Sequence, residues 1–484
     1  MPNNEGERRA RKFSAPTSET PVGMREGINE LWVAGYKSVL EEQRVEIRPV
    51  TILAGANSSG KSSILQPLLL LKQSLEVGFD AGALFLNGPN VKFTSASQIF
   101  TRLGKTRIST TFRVGLRIGM SSTLELFFRR SSKNKGFEIE RMTYSDSKGV
   151  LRELTPRMSH EEVLKTLPES HKSLYDIVKN VDLGKIDPLK SLVDPLNPPH
   201  FEWRVLREKC FLDPQLVVIH PDFPDATPSI PLALPLPVTA SAPFDNMIRS
   251  VIHVPGIRGN PERTYPVTAI SDKFPGLFQN YAASVIAQWQ SAEKRSELRA
   301  LGKDLETLGL TWRVIARPVQ DTQVEIRVGR LGHKGEEPFD MVNIADVGLA
   351  MSQVLAVVVS LHVAQPGQLV FIEQPELHLH PKAQVALARL VANAAQRGVK
   401  VVAETHSALF LLGMQTLVAE GELSPDLVKL HWFSRDQRGF TKVSSANIDE
   451  AGAFGDWPED FGDVSLKTES RYLDAADQSR SKVH

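Results

Sequence analysis

The stretch Thr51-Ile52-Leu53-Ala54-Gly55-Ala56-Asn57-Ser58-Ser59-Gly60-Lys61-Ser62-Ser63 constrains the fold more than any other part of this sequence. An apolar strand runs into Gly, four residues, Gly-Lys-Ser, and then a helix-forming run from Ile64. Two glycines let the backbone curl so that successive N–H groups face phosphate oxygens, and the helix N-terminus adds its partial positive charge. Gly55, Asn57, Ser58, Ser59, Gly60, Lys61, Ser62 and Ser63 are thus the candidate phosphate-binding residues of a P-loop. Lys61 would reach the β- and γ-phosphates of ATP, and Ser62 would hold magnesium. A chance Gly-Ser turn would not need the strand before it and the helix after it, and both are present.

With 484 residues, the chain has room for about two to four domains. A formal net charge of +1 gives no overall basic field, so contact with nucleic acid would need a local patch, and that partner stays open. The single cysteine, Cys210, excludes an internal disulfide framework and fits a reducing compartment. No uncharged apolar run reaches the roughly 18–20 residues of a membrane span. The protein reads as cytoplasmic, with no membrane partner.

Composition and periodicity divide the chain into five parts. Residues 1–27 are polar, with Arg8, Arg9, Arg11 and Lys12 clustered, and read as a disordered arm. Residues 28–155 read as a lobe carrying the P-loop and an antiparallel sheet, with strands expected near Ile28–Val39, Val45–Ile47, Arg107–Gly119, Thr123–Arg129 and Phe137–Tyr144. Pro67 falls early in the leucine-rich helix after the P-loop, where it would kink the axis rather than break it. Residues 156–250 read as a helical and Pro-rich insertion, in which prolines from Pro214 to Pro243 argue against helix and central strand. Residues 251–415 read as a second lobe alternating apolar helices and strands, with one helical run expected over Leu277–Leu308 and strands at Thr311–Ala316 and Val324–Val328. Residues 416–484 read as a hairpin, Leu427–Ser434 with Gly439–Ser445, and a tail. The fold class expected is α/β: a P-loop ATPase head with a mostly parallel core sheet, an antiparallel β subdomain and the insertion.

Three further stretches suit the same chemistry. Leu369-Val370-Phe371-Ile372 is a buried-strand pattern delivering Glu373-Gln374-Pro375-Glu376, which has the form of a Walker B strand with Glu373 holding magnesium through water. The strand Val399–Ala403 delivers Glu404-Thr405-His406-Ser407, where His406 could hydrogen-bond the γ-phosphate and report its loss. Gly348, Ser352 and Gln353 stand at the start of an apolar helix, placed either to cap a phosphate carried by a second subunit or as an ordinary helix cap. His378 and His380 could suggest a metal with His406, but no supporting ligand spacing accompanies them, and a polar turn is the simpler reading.

In this order, the P-loop, the signature-like helix start, Glu-Gln-Pro-Glu-x-His-x-His-Pro and Glu-Thr-His-Ser resemble the ABC-type ATPases of the SMC, RecF and OLD group. They are most similar to stand-alone bacterial AAA-type ATPases with a C-terminal segment of unknown function. Tyr36-Lys37-Ser38, Leu86-Asn87-Gly88, Pro255-Gly256-Ile257-Arg258 and Asp456–Phe461 add to the resemblance, which covers about 28–155 and 250–463. The resemblance implies a homodimer through the nucleotide interface, with Lys61 and Ser62 of one subunit facing Gly348, Ser352 and Gln353 of the other, and leaves higher assembly open. It also implies Gln98 as the magnesium-sensing glutamine and places Arg258 near the nucleotide or the dimer face. Relatives often serve antiviral defence, which points to a sensor that regulates a separately encoded effector, a nuclease being the leading class. A RecF-like clamp on DNA in repair is the alternative. No Asp-x-Asp follows His406, so nuclease activity in this chain is not expected.

The sequence also departs from the transporter-type pattern. There the strand-end acid is Asp followed by a Glu that orients the attacking water; here the pair is Glu373 and Gln374. A Gln amide cannot accept that water's proton, so slow hydrolysis is expected, with Glu376 as the candidate substitute base.

Overall fold

The computed structural model describes residues 26–104, 108–131, 136–178, 200–219, 241–330, 340–455 and 470–475. The expected N-terminal arm, the segment 220–240 that holds most of the prolines from Pro214 to Pro243, and Asp456–Phe461 lie outside these residues or almost wholly so.

In chain order, β1 (Ile28–Ala34), β2 (Gln43–Glu46) and β3 (Val50–Gly55) lead into α1 (Lys61–Glu76). Next come β4 (Thr111–Ile118), β5 (Ser122–Arg130), β6 (Phe137–Ser145) and β7 (Leu151–Leu154), then α2 (His160–Thr166), α3 (Glu169–Val178), β8 (His200–Glu208) and β9 (Phe211–Ile219). The second half opens with α4 (Ala242–Ser250), β10 (Ile252–Val254), β11 (Tyr265–Pro266), α5 (Ala282–Ser291) and α6 (Arg295–Thr307). It continues through β12 (Val314–Gln320), β13 (Gln323–Gly329), β14 (Met341–Asn343), α7 (Leu349–Val363), β15 (Leu369–Glu373) and α8 (Pro381–Gln396). The last elements of the core are β16 (Lys400–Glu404), α9 (Ala408–Ala419), β17 (Val428–Arg435) and β18 (Thr441–Asn447).

The core sheet has the order β10-β15-β16-β3-β17-β18. Every neighbouring pair in it is parallel except the β17–β18 hairpin at one edge. A sheet covered on both faces demands strands apolar on both sides, and β3 and β16 are buried at every position. Alternation then splits β3 between two cores. Val50, Ile52 and Ala54 pack with α7, α8 and α9, whereas Leu53 packs with the leucines of α1 and the antiparallel sheet β2-β1-β4-β5-β6-β7. Each such fully buried side chain contributes roughly 1.5–3 kcal/mol. The fold is therefore the expected α/β P-loop class, with the P-loop strand in the middle of the parallel core.

Helix α1 runs unbroken past Pro67, and its leucines Leu65, Leu68, Leu69, Leu70 and Leu71 are all buried. Lys72 is buried among them and would be costly there unpaired; it pairs with Glu76 and donates to the carbonyls of Arg249 (3.1 Å) and Phe274 (3.0 Å).

Several local expectations are corrected. The run expected as one helix over Leu277–Leu308 breaks at residues 292–294, where Glu293 takes a left-handed φ of 51°. Pro214 does sit in a strand: β8 and β9 form a separate two-stranded hairpin with Pro214 opposite Val205, outside any central position in a larger sheet. Pro243 begins α4, where its missing N–H costs nothing. The hairpin expected at Leu427–Ser434 and Gly439–Ser445 does form, as β17 and β18, and β17 also pairs in parallel with β3 from Val428↔Val50 to Phe433↔Gly55.

Candidate nucleotide site

The C-terminal ends of β3 and β16 and the N-terminus of α1 surround a cavity of about 550 Å³. It is lined by Lys37, Ser38, residues 57–63, Gln66, Gln374, Glu404, His406 and Arg435. Of the sequence candidates, Asn57, Ser58, Ser59, Gly60, Lys61, Ser62, Ser63, Gln374 and His406 meet here.

The loop is shaped by backbone conformations that favour glycine. Gly55 (φ 140°) and Gly60 (φ 103°) both lie at positive φ, and a Cβ on Gly60 would collide with the Thr441 hydroxyl. Thr441 in turn donates to the Ser59 carbonyl (2.9 Å) and shares a hydrogen bond with Ser38 (2.8 Å). Arg435 donates from Nε to the Ser58 carbonyl (2.7 Å). The last hairpin of the core sheet thus braces the phosphate loop.

Lys61 is buried and donates to the carbonyls of Gly55 (3.0 Å) and Ala56 (2.9 Å). Burial lowers its pKa, and the nearby carboxylates of Glu404 and Glu376 oppose that shift. Such an ammonium, held over the loop on backbone carbonyls, can exchange those partners for phosphate oxygens. Ser62 donates to Glu404, lying 3.0 Å from Oε1 and 2.9 Å from Oε2. Burial pushes the Glu404 pKa up to about 7, with Ser62 acting against burial and Glu373 reinforcing it.

Glu373 is turned the other way. The register Glu373↔Glu404↔Leu53 puts it in the same row as Glu404, one strand farther from the P-loop. Its Oε2 accepts from the Gly256 N–H (3.0 Å) and its Oε1 lies 3.3 Å from Nε2 of His253, whose ring stacks on Phe371. Burial alone would raise its pKa, but His253, the Gly256 N–H and Arg258 together bring it below the ordinary glutamate value. Glu373 does not line the cavity.

Gln374 holds a left-handed φ of 46° and donates its N–H to the Glu404 carbonyl (2.7 Å). A non-glycine residue held there is a local cost that the surrounding turn must maintain. Glu376 does not line the cavity; its Oε1 accepts from the His406 N–H (2.8 Å), and its Oε2 is buried without a partner. Burial, with a smaller contribution from Lys61, lowers the pKa of His406. Arg258, on the loop after β10, is buried and donates to the carbonyls of Glu373 (2.9 Å) and Gln374 (3.5 Å), tying that loop to the strand end. Burial lowers its pKa to about 10.

The remaining candidates lie elsewhere. Gln98 closes a capping box, its Oε1 accepting from the N–H groups of Thr94 (2.9 Å) and Ser95 (3.3 Å), and it does not line the cavity. Gly348 is exposed at the start of α7 with open space around it. Ser352 donates to the Leu349 carbonyl (2.9 Å), and Gln353 is buried, donating to the Gly259 carbonyl (2.6 Å). None of these three lines the P-loop cavity. His378 and His380 are exposed, and His380 caps α8 through Nδ1, so they form the polar turn expected of them.

The residues fit a nucleotide with magnesium. Inward-curling loop backbone, a lysine on carbonyls, a serine hydroxyl and a carboxylate supply phosphate donors and hard oxygen ligands. Sequence reasoning passed over Lys37, Ser38, Gln66, Arg435 and Glu404 as cavity residues. Glu404 was findable, since an acid ending a buried strand is the same signal that singles out Glu373.

Residues 271–412 match the family described as "AAA domain, putative AbiEii toxin, Type IV TA system". No curated protein matches the sequence. Among solved structures, an SmcHead bound to the C-winged helix domain of ScpA is similar at 12% identity and a TM-score of 0.40, over 88% of this chain and 99% of that one. The SMC head domain from Thermotoga maritima is similar at 10% identity and a TM-score of 0.38, over 87% and 99%. An Smc head domain with an extended coiled coil, bound to the C-terminal domain of ScpA and derived from Pyrococcus furiosus, is similar at 12% identity and a TM-score of 0.41, over 93% and 99%. The fold assignment rests on the sheet order and the P-loop geometry. The family match agrees with the ABC-type ATPase resemblance carried by the motifs.

Proposed function

We propose that this chain binds ATP with magnesium, hydrolyses it slowly, and dimerises around the nucleotide to control a separately encoded effector in antiviral defence. The observation that carries the ATP reading is the cavity itself, where Lys61, Ser62, Glu404, Gln374 and His406 converge on a braced phosphate loop. Ser62 with a strand-end carboxylate would hold the magnesium, which when bound screens phosphate charge. Lys61 would bind the phosphates, and His406 would contact the terminal one.

Dimerisation is supported by what this cavity lacks. The signature-like residues Gly348 and Ser352 sit away from it, and exposed Leu349 and Ile257 (87% exposed) stand on the surface formed by the same helix start and the Arg258 loop. A second copy would bring that surface to the first copy's phosphates. Slow turnover is supported by Gln374, an amide where a water-activating carboxylate would act. The matched family's description, a toxin of a Type IV TA system, supports a defence setting over repair, and an effector encoded beside this gene would be its target. No helix among the described residues is long and apolar enough to cross a membrane.

Steady-state hydrolysis and equilibrium ATP binding, measured on the full chain, test the proposal together. Tight magnesium-dependent binding with slow turnover supports it; fast turnover that survives Glu376→Gln overturns the slow-clamp reading.

A further inference from the structure

Two strand-end glutamates stand in one row above the core sheet, and only one of them faces the phosphate loop. Glu404, at the end of β16, neighbours the P-loop strand directly, and both of its carboxylate oxygens accept from the Ser62 hydroxyl, at 3.0 and 2.9 Å. Glu373, at the end of β15, is one strand farther out, and its two oxygens are engaged by the Gly256 N–H and by His253. Glu404 lines the cavity and Glu373 does not.

We infer that Glu404, not Glu373, is the carboxylate that holds magnesium together with Ser62. The inference rests on the ATP reading above and changes which residue of this chain meets the cation. Magnesium keeps several waters and takes one or two carboxylates plus substrate phosphates, so a single glutamate beside a serine hydroxyl is a sufficient protein contribution. Moving the acid one strand inward also assigns a use to the Glu373 carboxylate. With Arg258 on the strand-end carbonyls, it anchors the loop after β10 to the turn that carries Gln374. Glu373 is thereby a positioning residue.

Manganese serves as the probe, titrated by electron paramagnetic resonance into the full chain saturated with a non-hydrolysable ATP analogue. Glu404→Gln is expected to weaken manganese binding by tenfold or more without weakening analogue binding in EDTA. Glu373→Gln is expected to change manganese binding less than Glu404→Gln does, because its carboxylate engages Gly256 and His253 rather than the cation. Unchanged manganese affinity in Glu404→Gln, with analogue still bound, overturns the assignment alone. Failure of the wild-type chain to bind the analogue at all overturns the ATP reading and the assignment with it. Should Glu404→Gln not fold, manganese anomalous diffraction from crystals of the wild-type complex decides the matter: metal beside Ser62 and Glu404 supports the assignment, and metal facing Glu373 overturns it.

Discussion

The P-loop face and the signature face of this molecule carry the same kind of chemistry in opposite states of completeness. On the P-loop face, four strands converge: β3 supplies the loop, β16 supplies Glu404 against Ser62, and β17 with β18 braces the loop through Arg435 and Thr441. On the signature face, Gly348 opens onto free space and Ser352 bonds only within its own helix turn. A phosphate could be held by the first face alone. The second offers a helix N-terminus with nothing of this chain to hold. On the proposed reading, one copy contains two half-sites rather than one site, with nucleotide affinity on one face and assembly on the other.

The largest effect is expected at the boundary between them. Gln374→Glu would restore a carboxylate to the strand-end turn and is expected to raise ATP turnover by about 100-fold or more, the scale of a general base. Steady-state phosphate release checks it, and unchanged turnover would place the base elsewhere in the cavity.

Two buried groups on the P-loop side respond to acid in opposite senses, His431 losing stability and Glu404 gaining it. His431 on β17, beside β3, is buried between Ser445 and the Glu46 carbonyl, and burial lowers its pKa from 6.5 to about 4. Its folded pKa lies below the unfolded one, so the unfolded chain takes up a proton first as pH falls. The His431 contribution is therefore fully present above about pH 6.5 and lost towards pH 4, by about 3 kcal/mol at most. Urea unfolding of both proteins across that window should show the stability advantage of wild type over His431→Gln shrinking as pH falls.

Two substitutions should separate the faces. Lys61→Ala is expected to weaken ATP binding by about 10- to 100-fold, the loss of a charged hydrogen bond of about 1.5–3 kcal/mol. Ser352→Arg is expected to leave ATP binding by the monomer within a few-fold while abolishing ATP-dependent dimers. Fluorescent-nucleotide titration and light scattering read the two outcomes, and equal losses of binding in both variants would break the division. The smallest effect belongs to the brace: Thr441→Val removes the bonds to Ser59 and Ser38 and should cost about 1 kcal/mol of stability, measured by chemical denaturation.

Local motifs were legible in the sequence because each compresses its chemistry into one strand–turn–helix passage. The loop Gly55–Ser62, the strand ends at Glu373 and Glu404 and the class of the core sheet could all be read in this way. What stayed hidden depends on residues far apart in the chain. Nothing local to Thr441 announces that its hydroxyl will meet Ser38 and Ser59, and nothing in Val428–Phe433 specifies β3 as its parallel neighbour. The choice between Glu373 and Glu404 has the same origin. Both end buried strands, and only strand order decides which one stands beside Ser62. Gln98 shows the converse: its local pattern is a capping box, and that is the use its side chain has.

The central claim is that ATP joins two copies of this chain. Light scattering on the full-length protein, with magnesium and ATP added, tests it most directly. The account predicts that the mass doubles from 53.6 kDa on adding ATP and stays single in Lys61→Ala. A wild-type chain that binds ATP and keeps a mass of 53.6 kDa would contradict it.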